Sequence, residues 1–192
     1  MVTETSPALM PGLIERLDRV QERIRRLTGE LRPDQLLWTP PQGGWSIAQV
    51  IEHLLVTDNR YEDRIRAAMA RGRARHVTGH GTPWRPSMAG RFLHRSVRQE
   101  NPNRLTTPAV FVPSLRPRPS VVPSYLTMLD EIRSLMREAE ENDLDLGRLR
   151  FSSPAARLLR VNLGDAFLLS VSHAERHAGQ IERIRAHADF PT

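Results

Sequence analysis

Apolar residues return at steps of three and four in four separated stretches of this chain, a period that belongs to packed amphipathic helices. The first stretch runs from about Ala8 to Leu31, with Leu13, Leu17, Val20, Ile24, Leu27 and Leu31 on one seam and Arg and Glu on the other faces. The second carries Ile47, Ile51, Leu54, Asp58, Tyr61, Ile65 and Ala68 and runs to about Arg71. The third, from about Pro123 to Asn142, turns Tyr125, Met128, Leu129, Ile132, Leu135, Met136 and Ala139 inward. The fourth begins at Asn162 and runs to about Ala188, with the seam Leu163, Phe167, Ser170, Ala174, His177, Ile181, Ile184 and Ala188. Almost no β-type alternation is present. The pattern predicts an all-α fold, a four-helix bundle forming a single domain over 1–192.

The second helix has a sharp start. Ser46 suits an N-cap, Gln49 stands three residues later, and Trp45 with Val50 can close a hydrophobic staple, while Gly43-Gly44 frees the chain to turn. From Gly72 to Pro119 the period fades and seven prolines intervene: Pro83, Pro86, Pro102, Pro108, Pro113, Pro117 and Pro119. No long helix survives that density of breaks. One short helix is expected from Ser87 to Gln99, docked by Phe92, Leu93 and Val97. An insert of this length between the second and third helices permits a long crossover, and such segments are commonly functional or interface-forming.

Composition removes several chemistries. The chain has no Cys, so thiolate nucleophiles, disulfides and Cys-ligated metals are excluded. All 28 basic residues are Arg, which excludes Schiff-base lysines and the P-loop. The formal charge is +6, but the arginines alternate with Glu and Asp, so a nucleic-acid-binding face is not expected. No run is long and apolar enough to cross a membrane, and Met1 to Pro11 lacks a basic start followed by an apolar run. A cytoplasmic location is the expectation.

The fourth seam has an anomaly at its middle. Where packing alone would place Leu or Ile, it reads Ser170, Ala174, His177. His173 precedes His177 by four residues, so the two imidazoles leave one helix face about 6 Å apart along the axis. That is a chelating spacing, although it also suits an exposed pair on a solvated face. Ala174 follows His173, so this is not the zincin motif. His53, early in the second helix, is the best third ligand, with Gln49 and Thr57 one turn away as supports, and is equally read as a satisfied core histidine. Asp58 reads first as a salt bridge to an arginine of a neighbouring helix, and second as a ligand or base. Glu52 is the other carboxylate near His53. Trp45 reads as a core plug.

Two motifs carry a family resemblance. Gly43-Gly-Trp-Ser-Ile-Ala-Gln-Val-Ile-Glu-His53-Leu and His173-Ala-Glu-Arg-His177-Ala-Gly-Gln180-Ile181 resemble the DinB-like superfamily, which includes the YfiT-like metal-dependent hydrolases. The resemblance implies a DinB/YfiT-like four-helix bundle with a long crossover. It implies His53, His173 and His177 as ligands of one divalent metal ion. Imidazole donors suit Zn, Ni, Fe or Cu, so the residues do not choose the metal; Zn or Ni is the expectation, with Fe or Mn as further choices. Three protein ligands leave an open position, the layout of a catalytic centre. A metal-dependent hydrolase of a small-molecule substrate is therefore expected. The alternative is a transferase or isomerase using a low-molecular-weight thiol, and the rival from another class is a non-catalytic metal-binding, damage-response protein. A homodimer is expected from the resemblance and from Trp84, Phe92, Val110, Phe111 and Val112, apolar residues of the insert that need cover. The small Ser170 and Ala174 are expected to leave the entrance to the metal.

Overall fold

In the computed structural model, residues 9–80, 82–97 and 106–192 are described. Four long helices make the frame: α1 (Leu9–Thr28), α3 (Ile47–Ala74), α5 (Val121–Glu141) and α6 (Leu163–Arg185). A short α2 (Pro33–Leu37) follows α1, and α4 (Met88–Val97) lies in the long connection between α3 and α5. α1 packs against α5 and α6, and α3 packs against the same two. Leu13, Leu17, Ile24, Ile51, Leu54, Ile65, Tyr125, Leu129, Ile132 and Phe167 fill the space between them, as the apolar period requires. Among the described residues, no helix is long and apolar enough to cross a membrane.

The helix starts follow local chemistry. Ser46 Oγ accepts from Gln49 N at 3.2 Å, and Gln49 Oε1 accepts from Ser46 N at 3.0 Å. Gly43 and Gly44 precede this cap at φ 85° and 120°, backbone that favours glycine. α6 repeats the device: Asn162 Oδ1 accepts from Asp165 N, and Asp165 Oδ2 accepts from Asn162 N. Asp165 also adds a negative charge where the helix dipole favours one.

The structure corrects the helical reading in three places. The stretch before α6, which shows neither a helical period nor a β-type alternation in the sequence, is an antiparallel hairpin of β1 (Arg150–Ser153) and β2 (Ala156–Asn162). Its only buried cross-strand apolar pair is Phe151 with Val161, and Leu158 is exposed, so there is no alternation long enough to announce strands. α1 ends at Thr28 rather than Leu31, its last side chain bonding back to Ile24 O. α4 docks on α6 through Gly90, with Leu93 and Val97 packed against the core as expected, and not through Phe92, which is 63% exposed. A Cβ at Gly90 would stand 2.0 Å from Asp165 Oδ1, so only glycine lets the two helices meet. The expectations for Ala8, for most of Met1 to Pro11, for Gln99 and for Pro102 lie outside the described residues.

Candidate metal centre

His53 projects from the second turn of α3, and His173 and His177 project from the middle of α6, all three buried. The contact of α3 with α6 brings together side chains 120 residues apart in sequence. His173 Nε2 lies 3.1 Å from His53 Nε2 and 3.0 Å from His177 Nε2. Metal–nitrogen bonds of about 2.0–2.1 Å at angles of 90–109° place ligand nitrogens about 2.9–3.4 Å apart, the range seen here. These three residues can hold one metal ion.

The tautomers point the same way. His53 Nδ1 lies 2.8 Å from Phe111 O, a carbonyl that can only accept. The proton of His53 is therefore on Nδ1 and its Nε2 is a bare lone pair. His177 Nδ1 lies 2.7 Å from Gln180 Oε1, which likewise places the proton on Nδ1. Two lone pairs thus face His173 Nε2, which can donate to one of them at most. A cation at the convergence satisfies all three, and a proton does not. Desolvation by burial pushes all three imidazoles below their usual pKa, His177 to about 3 and His173 well down, so each is neutral and ready to ligate near pH 7. For His173 and His177, a facing imidazole and Arg176 push further in the same direction.

The histidines open onto a cavity of about 810 Å³. Trp45, Tyr61, Phe92, Phe111, Leu169 and Ile184 supply much of its wall, with Thr57, Arg176, Gln180, Arg183 and His187 as polar groups. Trp45, half-buried and packed against the core, is also cavity wall, its ring 4.9 Å from that of His53. His187, two residues past the end of α6 and outside the cluster, lines the same space. No carboxylate among the described residues lines it.

The insert is part of the centre. Its 3-10 turn, Ala109–Phe111, buries the Phe111 ring against Tyr61 and presents the carbonyl that orients His53. Ser114, three residues on, is clasped to α3: its backbone N and Oγ donate to the Glu52 carboxylate, and its carbonyl accepts from Gln49 Nε2. Glu52 therefore faces the insert and not the metal position. The supports expected for His53 are otherwise occupied, Gln49 by this clasp and Thr57 by the backbone carbonyl of His53. A carbonyl is invisible in a residue pattern, so the Phe111 partner could not be read from sequence. Gln180 could have been, as the polar residue one turn beyond His177.

Two further expectations are corrected. Asp58 is wholly enclosed and pairs with no arginine among the described residues. It accepts from Tyr125 Oη at 3.3 Å and bonds the hydroxyl of Ser170, and burial pushes its pKa up to about 7. Ser170 and Ala174 do not open the site: both are buried in the core and absent from the cavity wall. The small seam residue Ser170 makes room for, and a hydrogen bond to, the buried acid. The cavity lies on the other flank of α6, the one that carries Leu169, Arg176, Gln180 and Arg183.

Comparison with curated proteins gives no match, and comparison with solved structures gives none. The sequence profile of the DinB superfamily matches residues 16–181, a span that takes in most of α1, all of α3 and α5, most of α6 and all three histidines. The chain belongs to the DinB superfamily.

Proposed function

We propose that this chain is a metal-dependent enzyme acting on a small molecule, built as one DinB-like domain whose α1, α3, α5 and α6 form the family's four-helix bundle. The observation that carries the reading is the convergence of three neutral imidazole nitrogens on one point at the wall of a large cavity. His53, His173 and His177 hold one divalent ion, with Zn or Ni as the first choices among those that imidazole donors suit. When bound there, the ion supplies Lewis acidity to whatever oxygen or sulfur occupies its open position. The chain's own residues do the rest. Phe111 O and Gln180 fix two of the imidazoles as Nδ1–H tautomers. Trp45, Phe111 and Leu169 give the cavity apolar wall, and Thr57, Gln180 and Arg183 give it polar groups that can meet a bound molecule. Asp58, behind the wall and bonded to Tyr125 and Ser170, belongs to the packing of the core rather than to the reaction.

Hydrolysis is the first reading. A transferase or isomerase reaction of a low-molecular-weight thiol is the second, favoured by a wall without any described carboxylate to serve as general base for water. Zinc- or nickel-loaded protein assayed against ester, amide and phosphoester panels, with and without added thiols, separates the two. Turnover only with thiol present selects the second. Turnover in neither arm, with full metal content, selects a non-catalytic metal-binding protein. The homodimer keeps only part of its original support, because Trp84 and Phe111 are buried within the chain itself. Phe92, Val110 and Val112 remain exposed. Light scattering that finds a strict monomer at high concentration removes the dimer from the reading.

A further inference from the structure

Along α3, Thr57 follows His53 by four residues and Tyr61 follows it by eight, about 6 Å and 12 Å of helix, and all three line the cavity. On α6, Leu169 precedes His173 by four residues and lines it too. Asp58 of α3 bonds Ser170 of α6, so the two helices run in opposite directions, and Thr57, Tyr61 and Leu169 all lie to one side of the histidines. The insert and the hairpin close that end. The Phe111 ring stacks on Tyr61. Ser153 Oγ bonds the Tyr61 hydroxyl at 2.7 Å and accepts from Ala155 N, which sets Ala155, in the hairpin turn, beside them in the wall. The polar groups these residues carry are already bonded within the protein. Ser153 holds the Tyr61 hydroxyl, the Thr57 hydroxyl donates to His53 O at 2.7 Å, and Phe111 O takes the Nδ1 proton of His53. The rings of Tyr61 and Phe111, the Leu169 side chain and the methyl of Ala155 are left as wall. In the other direction, beyond His177, the wall carries Gln180, Arg183 and His187. The histidines thus stand between an apolar end and an end that carries polar groups.

We propose that the end lined by Tyr61, Phe111, Ala155 and Leu169 is a subsite for an apolar group, a phenyl ring or a short alkyl chain, carried by the substrate next to the atom that meets the metal. This deepens the proposed function and rests on its metal centre. The substrate class is then an aryl- or alkyl-substituted small molecule rather than a small polar one. Burying such a group stabilises the complex in proportion to the apolar area removed from water. A wall whose polar groups already have protein partners leaves none of them unpaired when water departs. Leu169 and Tyr61 bound the depth of the subsite, and Ala155 is its small residue. The end past His177 is left to the polar part of the substrate.

The test uses cobalt-loaded full-length protein titrated with phenylmethanethiol and with 2-mercaptoethanol, following the sulfur-to-cobalt absorption band. Both offer the metal an alkyl thiol, and they differ in the phenyl ring against the hydroxymethyl group. Wild type is expected to bind phenylmethanethiol about tenfold more tightly. The ratio of the two affinities is the readout in two variants. Ala155→Leu fills the subsite and is expected to bring the ratio toward one. Leu169→Ala deepens it and is expected to shift the preference from phenylmethanethiol toward the larger 2-naphthylmethanethiol. Equal affinities in wild type, or a ratio that neither substitution moves, overturn the apolar subsite while leaving the metal centre standing. Absence of the band with every thiol, in protein that retains cobalt, overturns the open coordination position and the subsite with it. A chain that takes up no cobalt overturns the metal centre itself. Circular dichroism of each variant keeps a folding defect from being read as lost preference, and if one variant fails to fold the other decides.

Discussion

The backbone carbonyl of Phe111 accepts a hydrogen bond from Nδ1 of His53 at 2.8 Å, so a residue of the proline-bearing insert fixes the tautomer of a histidine on α3. Docking of the insert and readiness of the metal centre are therefore one equilibrium. Beside the metal centre the insert is held by the buried Phe111 ring, stacked on Tyr61, and by the bonds from Ser114 to Glu52.

Loosening that clasp is expected to weaken metal binding without unfolding the helices. Ser114→Ala with Glu52→Gln removes the hydroxyl bonds and the carboxylate charge, both outside the ligand set. Outer partners of metal-bound histidines typically contribute about 10–100-fold to affinity. A loss near tenfold is expected in a chelator competition, with the far-ultraviolet spectrum of the apo protein unchanged. Wild-type affinity in the double variant would mean that Phe111 is held in place by its ring packing alone.

Removing a ligand should do more than loosen one. His177→Ala leaves two imidazoles, and the metal content after dialysis is expected to fall from about one ion per chain to a small fraction. Gln180→Ala leaves all three imidazoles but frees the His177 ring to turn, and is expected to retain the stoichiometry with weaker affinity. Full occupancy in His177→Ala would remove that residue from the centre.

Much of this frame is legible in the residue order, for reasons that differ by element. The seams of α1, α3, α5 and α6 are long, so the 3.6-residue period is repeated often enough to stand out. The caps at Ser46 and Asn162 are local chemistry and need no knowledge of the fold. His173 and His177 announce themselves because polar groups break an apolar stripe. The hairpin does not show, because only Phe151 and Val161 pair in its interior. The cavity wall does not show either. Trp45 and His187 face it because of where α6 lies against α3, and that placement is a tertiary fact. The misreading of Ser170 has the same origin. Smallness on a seam signals room, but only the packing of α5 reveals that the room is filled by Asp58 and Tyr125.

Asp58 gives the chain a distinctive pH dependence. Its pKa is near 3.8 when unfolded and about 7 when folded, because burial disfavours the carboxylate. Between those values the folded state binds more protons than the unfolded state. The contribution of this group to stability therefore falls as pH rises from about 4 to about 7, and is flat outside that window. Asp58→Asn keeps the shape and the hydrogen bonds of the neutral acid and removes the titration. The melting temperature of the variant relative to wild type is expected to be higher at pH 8 than at pH 5, by ~4 °C or more. A difference that does not change between the two pH values would show that Asp58 is charged, or neutral, in both.

Three glycines in or against helices offer a test in which sign matters more than size. At Gly12 in α1, a Cβ would have nothing within 4 Å, so Gly12→Ala gains helix propensity without a clash and is expected to stabilise by up to ~1 kcal/mol. Gly90 and Gly164 share that propensity gain but not that space. A Cβ at Gly164 would stand 2.2 Å from Trp84 Nε1, whose N–H donates to the capping side chain Asn162. A Cβ at Gly90 would meet the carboxylate of Asp165, which accepts from the backbone N of Ser87 and of Asn162. In both places the group that must move also caps α6 or anchors the insert, so relief of the clash breaks a hydrogen bond. Overpacking of this kind costs ~1–3 kcal/mol, more than the gain in helix propensity. Gly90→Ala and Gly164→Ala are expected to lower the midpoint of urea unfolding while Gly12→Ala raises it. If all three move together, the sign is set by helix propensity alone, and the close docking of α4 and Trp84 on the start of α6 is not rigid.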